Sequence, residues 1–461
     1  MNSADLPAYE LARRTASGEL TATAVVEASL DRIAKRDPGL NAFSVVLADQ
    51  ARADAARLDA DLASGVRPGP LHGVPVAIKE ELDVAGCVTT FGGRANSTPA
   101  ARDGEVVRRL RHAGAVVVGK TRMPEFGQWP FTESVEGGIT RNPWDRSRTP
   151  GGSSGGTAAA VAARMVPVAI GGDGGGSIRI PSAYCGLYGL KPTRGRVTSD
   201  PAPHLWWALG TTGPLTRTVL DAAIVYDVIR GNLAGDRFTA LEPETTFTAA
   251  TGRDPGRLRI GWSTVPVTKG VRPAPEHVAA VHEMAAFLAG LGHDVREVDP
   301  RYPDPTAAFV PQFLGGVRTE ADAMEHPELL ERRTRETYRL GAWVSDSVLE
   351  KALAAGEKVA ERANRVFEEV DVLLTPTIGP RPRRVGALDH GGTLRMALRS
   401  RPVVAWTALW NVTGNPAASV PTGLAADGMP VAVQLVGRVS DEVTLLSLSA
   451  QIERERGWPQ L

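Results

Sequence analysis

The chain has 461 residues, 43% of them apolar and 23% charged, proportions that fit a globular enzyme and exclude a disordered chain. Lysine plus arginine and aspartate plus glutamate number 52 each, so the formal charge is zero and nothing global draws the protein to nucleic acid or anionic lipid. The two cysteines, Cys87 and Cys185, exclude a disulfide framework or a cysteine-built zinc site and fit a reducing compartment.

Residues 1–15 lack the apolar stretch of a secretory signal, and no run approaches the roughly 18 apolar residues of a membrane span. A cytoplasmic protein with no membrane partner is expected. Residues 5–60 place apolar side chains at helical spacing. Leu20-Thr21-Ala22-Thr23 predicts a capped start for a helix through 24–30, and an Ala/Asp-rich helix is expected over about 46–63. After Gly69-Pro70, short β-branched runs at 74–78, 115–119 and 166–170 alternate with helical stretches such as 105–110. This texture predicts an α/β fold, a mixed sheet covered on both faces by helices. The stretch 235–400 is less regular, with strands expected at 258–261 and 371–377 and helices near 276–291 and 346–369. Strand texture returns at 429–437, ahead of a last amphipathic helix. Arg381-Pro382-Arg383-Arg384 reads as a solvated loop. No repeat, low-complexity tract or linker divides the chain. One domain over 1–461 is expected, with N-terminal helices to about 65, a core over 66–230, a variable region over 235–400 and a return to the core from 401.

Two segments stand apart: Thr149-Pro150-Gly151-Gly152-Ser153-Ser154-Gly155-Gly156-Thr157, which opens an alanine-rich helix, and Gly171-Gly172-Asp173-Gly174-Gly175-Gly176-Ser177-Ile178-Arg179. Glycine at this density costs chain entropy on folding, so an ordered site must need backbone geometry that side chains forbid. Neither segment ends in the Gly-Lys-Ser/Thr of a phosphate loop, and neither has the dinucleotide spacing. Gly152-Ser153-Ser154-Gly155-Gly156 does fit the G-x-S-x-G nucleophile elbow, which would make Ser154 the nucleophile and would need a histidine such as His390.

With these segments in view, the sequence resembles the amidase signature family. The resemblance rests on Gly73-Val74-Pro75-Val76-Ala77-Ile78-Lys79, on Pro150 to Gly156, on Gly175-Gly176-Ser177-Ile178-Arg179 and on Cys185 to Thr193. The interval of 24 residues between Ser153 and Ser177 is also the family's, and weaker similarity spans nearly the whole chain. The resemblance implies a hydrolase of C–N bonds in linear amides. Lys79 would be general base, Ser153 a proton relay held by a cis Gly152–Ser153 peptide, and Ser177 the nucleophile that forms an acyl-enzyme. The oxyanion hole implied consists of the N–H groups of Gly174, Gly175, Gly176 and Ser177. A lysine base must be neutral to accept a proton, which an apolar pocket would favour.

Around this triad, Asp173 and Arg179 read as a structural pair bracing the loop, with Arg179 holding a substrate carboxylate as the alternative. Ser154 is expected to hydrogen-bond within its loop, and Lys191 and Cys185 to be structural. The chain departs from the family where Gly174 replaces a frequent threonine and where Glu80-Glu81 replaces a common Asp-Asn. Ile180 stands where the A-type chain of glutamyl-tRNA amidotransferase usually has glutamine, which counts against that identity, the alternative carried here. Trp129, Phe131, Trp206 and Trp207 suggest an apolar or aryl substrate pocket. Small or medium amides are the expected substrates, extending to anilides, esters and carbamates (urethanase activity). With no H-E-x-x-H and no ligand spacing among eight histidines, no metal or cofactor is expected. Analogy with such enzymes suggests a homodimer.

Overall fold

A strand buried on both faces needs apolar side chains at every position, which the runs at 74–78, 115–119 and 166–170 supply. In the computed structural model, which describes residues 3–202, 204–387 and 391–461, these runs become neighbouring strands. In chain order the strands are β1 (Phe43–Val46), β2 (Pro75–Lys79), β3 (Val116–Thr121), β4 (Glu133–Ser134), β5 (Gly138–Ile139), β6 (Val168–Asp173) and β7 (Tyr188–Lys191). They continue with β8 (Thr211–Thr216), β9 (Arg259–Trp262), β10 (Asp294–Glu297), β11 (Val372–Pro376), β12 (Ala417–Leu424) and β13 (Pro430–Val436). Among the described residues, eleven of them form one mixed sheet in the order β1-β3-β2-β6-β8-β7-β12-β13-β11-β9-β10, and β4 and β5 form a small hairpin.

The sheet divides the core. Val76 and Ile78 of β2, Val117 of β3, and Val168 and Ile170 of β6 contribute to one hydrophobic cluster. Their alternates Ala77, Val116, Val118 and Ala169 contribute to another on the opposite face. Helices fill both clusters, Glu105–His112, Val219–Ile229 and Glu442–Glu455 on the first face and Ala22–Arg36 and Gly155–Ala162 on the second. The expected helix starts are observed: Thr21 Oγ1 accepts from Ala24 N at 3.1 Å, capping Ala22–Arg36. The strands and helices read from the sequence in the middle region are present at Arg259–Trp262, Pro275–Gly290, Asp346–Asn364 and Val372–Pro376.

β2 and β6 lie side by side and parallel, with Val76 opposite Val168 and Ile78 opposite Ile170. Their C-terminal ends therefore open on the same edge, where ligands of α/β sheets commonly sit. A helix from the irregular region, Thr306–Asp322, closes over that edge. No helix among the described residues is long and apolar enough to cross a membrane.

Candidate active site

Lys79 is the last residue of β2, 1% exposed, and its Nζ donates to Ser153 Oγ at 2.9 Å. Ser153 follows a cis Gly152–Ser153 peptide in the turn before the helix Gly155–Ala162. Glycine is required at 152, because a Cβ there would meet the backbone N, C and O of Phe131 at 2.6–2.8 Å. The turn is tied down by Thr132, whose Oγ1 donates to Gly151 O at 3.0 Å and accepts from Gly155 N at 3.1 Å. Ser177 sits 9% exposed beyond β6, and Lys79, Ser153 and Ser177 all line one cleft. Lys79 also meets Glu81 Oε2 at 3.0 Å. This corrects the expectation of an amine alone in an apolar pocket: Lys79 is held in an ion pair, supplied by one of the two glutamates that depart from the family pattern.

The loop carrying Ser177 is fixed by a buried network. Asp173 accepts from Gly176 N at 2.7 Å, from Ile178 N at 3.2 Å, and from Arg179 Nε and Nη2 at 2.9 Å each. Arg179 spends its remaining donors on Thr407 O, Gln434 Oε1 and Asn411 Oδ1 at 2.7–3.0 Å. With every guanidinium N–H engaged and the side chain fully buried, Arg179 has none to offer a substrate carboxylate. Burial alone would raise the Asp173 pKa, but Arg179 and Asn411 outweigh it and hold the carboxyl well below the usual carboxylate range. Gly176 differs from its expected role, since its N–H is taken by Asp173. Among the described residues, no hydrogen bond consumes the N–H groups of Gly174, Gly175 or Ser177. Ser154 is fully buried, donating to Gly172 O at 3.2 Å and accepting from Gly172 N at 3.3 Å. That placement opposes the nucleophile-elbow reading; His390, its candidate histidine, lies outside the described residues.

Of the four aromatic residues expected at the pocket, only Trp206 lines this cleft. Its ring lies between Gly174 and Gly316, where added Cβ atoms would meet it at 2.7 and 2.6 Å, and it meets Phe313 edge-on at 5.1 Å. Trp207 turns to a neighbouring pocket, stacked on His204 at 4.5 Å. Trp129 and Phe131 stack on each other at 6.1 Å and form a small core cluster with Met396, so their assignment to this cleft is corrected. Phe91 and Phe126, which sequence reasoning missed, line the cleft instead, with φ of 50° and 52°. Bulky residues rarely adopt that region, and two such exceptions facing one cleft are the kind of signal only coordinates provide. Glu320, on the covering helix, was missed as well.

Two further lysines are buried. Lys191 donates to Pro192 O at 2.7 Å and Lys120 to Val88 O at 3.2 Å; burial lowers both pKa values, that of Lys191 strongly. Neither lines the cleft. Cys87 and Cys185 are free and buried. No group of three or more His, Cys, Asp or Glu able to hold a metal is found among the described residues.

A buried lysine bonded to one serine, with a second serine on a braced glycine loop in the same cleft, is the equipment of an amide-hydrolysing enzyme, and the comparisons agree. The chain belongs to the amidase signature family: the family model described as Amidase matches residues 24–446. "Putative amidase AmiB2" of Mycobacterium tuberculosis is 48% identical over 449 residues, covering 97% of this chain and 95% of that protein. The A-type chain of the glutamyl-tRNA(Gln) amidotransferase of Synechococcus sp. is 36% identical over 468 residues, covering 95% of each. Among solved structures, 6-aminohexanoate cyclic dimer hydrolase complexed with substrate superposes with a TM-score of 0.89 at 31% identity, over 98% of this chain and 97% of that one. A bacterial aryl acylamidase of the amidase signature family gives 0.87 at 30% identity, over 98% and 96%.

Proposed function

We propose that the protein hydrolyses small or medium amides through an acyl-enzyme on Ser177, with Ser153 relaying the proton and Lys79 as base. The carrying observation is the 2.9 Å bond from Lys79 Nζ to Ser153 Oγ within a cleft that Ser177 also lines. Ser177 Oγ attacks the amide carbon, and its proton passes through Ser153 to Lys79. The Glu81 carboxylate, 3.0 Å from Nζ, orients the amine toward Ser153, and the lysine acts as base in its neutral form. The N–H groups of Gly174, Gly175 and Ser177 face the developing oxyanion, while Asp173 keeps the Gly176 N–H for the loop itself. The proton then returns to the leaving amine, and water releases the acyl group from Ser177. Phe91, Phe126 and Trp206 give the cleft an aromatic wall that suits aryl amides, anilides and carbamates. The two free, buried cysteines suit action in the cytoplasm.

The test is turnover of p-nitroanilides, aryl amides and aryl carbamates by wild type, Ser177→Ala and Lys79→Ala, with circular dichroism as the folding control. Both variants should lose at least about a thousandfold in kcat/KM; activity surviving in folded Ser177→Ala would sink the mechanism. The runner-up is a partner-dependent chain that releases ammonia from glutamine, supported by the 36% identical amidotransferase relative. A wild type that turns over the simple amides unaided decides against it.

A further inference from the structure

Two ion pairs involve the cleft lining. Lys79 meets Glu81 at 3.0 Å, and Asp173 is neutralised by Arg179 at 2.9 Å. Glu320 also lines the cleft, and among the described residues it forms no ion pair; its Oε2 is shielded from solvent without a hydrogen-bond partner. Burial, together with the nearby Glu81 charge and against the pull of Trp206 and Lys79, pushes its pKa up to about 8. A carboxyl oxygen that lines the cleft without a partner can accept a donor that a ligand brings. The rings of Phe91, Phe126 and Trp206 share this lining, and aromatic faces attract cations.

We propose that the cleft contains an ammonium subsite, in which Glu320 accepts a protonated amine carried by the substrate and the three aromatic side chains enclose it. This deepens the amidase reading of the same cleft: the preferred amides would be those bearing a basic amine besides the scissile group.

The subsite can be tested without turnover. Calorimetric titration of the full chain with n-hexylammonium should show saturable binding, at least tenfold tighter than 1-hexanol, and Glu320→Gln should abolish that preference. In turnover, ω-aminoacyl p-nitroanilides should outperform acyl p-nitroanilides of equal length, chiefly through KM, with the ratio of the two kcat/KM values falling at least tenfold in Glu320→Gln. Equal binding of hexylammonium and hexanol by wild type overturns the proposal, even where the variant fails to fold, as does a charge preference that survives in folded Glu320→Gln. Ammonium binding in an enzyme that cleaves no amide would keep the subsite and remove the hydrolase reading, whereas cleavage with no charge preference would do the reverse.

Discussion

On the sheet side of the cleft, the polar atoms that shape the site have buried partners. Ser154 is bonded to Gly172, and Asp173 to Arg179 and Asn411. On the opposite side, formed by residues 205–210 and the helix Thr306–Asp322, rings rest on glycines and polar atoms such as Trp207 Nε1 and Glu320 Oε2 lack partners. The first wall is held chiefly by side-chain hydrogen bonds, and the second chiefly by ring packing, with Ala208 N donating to Gln312 Oε1 at 3.0 Å as its buried tie. A family can keep one chemistry while changing substrates when its catalytic wall is over-determined and its recognition wall is held by packing.

Removing one member of the buried ion pair should have the largest effect on stability. Arg179→Ala strands Asp173 and three acceptors, and urea denaturation should show a loss of about 3–5 kcal/mol together with lost turnover. A loss under 1 kcal/mol would mean that the catalytic wall is not braced as described.

The next largest effect concerns Glu125, which sits beside the cleft lining. Its Oε2 accepts from Glu331 N at 2.9 Å, while Phe126 and Gly127 beside it line the cleft. Burial, reinforced by the Glu331 charge, raises its pKa from about 4.5 to about 7. Between these values the folded chain binds more protons than the unfolded one. Its contribution is therefore fully present below about pH 4.5 and is lost as pH rises toward 7, by at most about 3 kcal/mol. The pH-dependent part of the melting curve should shrink in Glu125→Gln; an unchanged slope between pH 5 and 7 would remove the assignment.

The smallest effect belongs to the packed wall. A Cβ at Gly316 would meet Trp206 Cδ1 at 2.6 Å and its Cα at 3.0 Å. Overpacking costs about 1–3 kcal/mol, against which alanine returns roughly 1 kcal/mol of helix propensity. Gly316→Ala should therefore destabilise by about 2 kcal/mol or less, and raise KM more than it lowers kcat because Trp206 moves into the cleft. A variant that lowers kcat alone would place Trp206 with the chemistry instead.

The same division governs what could be read from the sequence. Val76-Ala77-Ile78 announces a doubly buried strand because both faces demand apolar side chains, and the glycines announce close approaches, as at Gly156, where a Cβ would meet Arg122 N and O at 2.5 and 2.7 Å. The recognition wall left no such trace. Glu320 and Glu81 lie far apart in sequence, and nothing local marks a glutamate on a helix as facing a cleft. The one available hint was Gly315-Gly316 inside a helical stretch, since paired glycines there signal something lying close against the backbone. Trp129 and Phe131 misled because nearness to the motif in sequence was taken for nearness in space, whereas their rings turn toward Met396.

The partners of Arg179 have a consequence for how the protein is made. Its bonds reach Thr407, Asn411 and Gln434, and β12 and β13 stand in the interior of the sheet although they come late in the chain. Chains fold progressively as they leave the ribosome, so the loop bearing Ser177 lacks its full anchor until Gln434, 255 residues beyond Arg179, has emerged. A chain that ends before β13 would carry Asp173 and Arg179 without the Gln434 acceptor that completes their network.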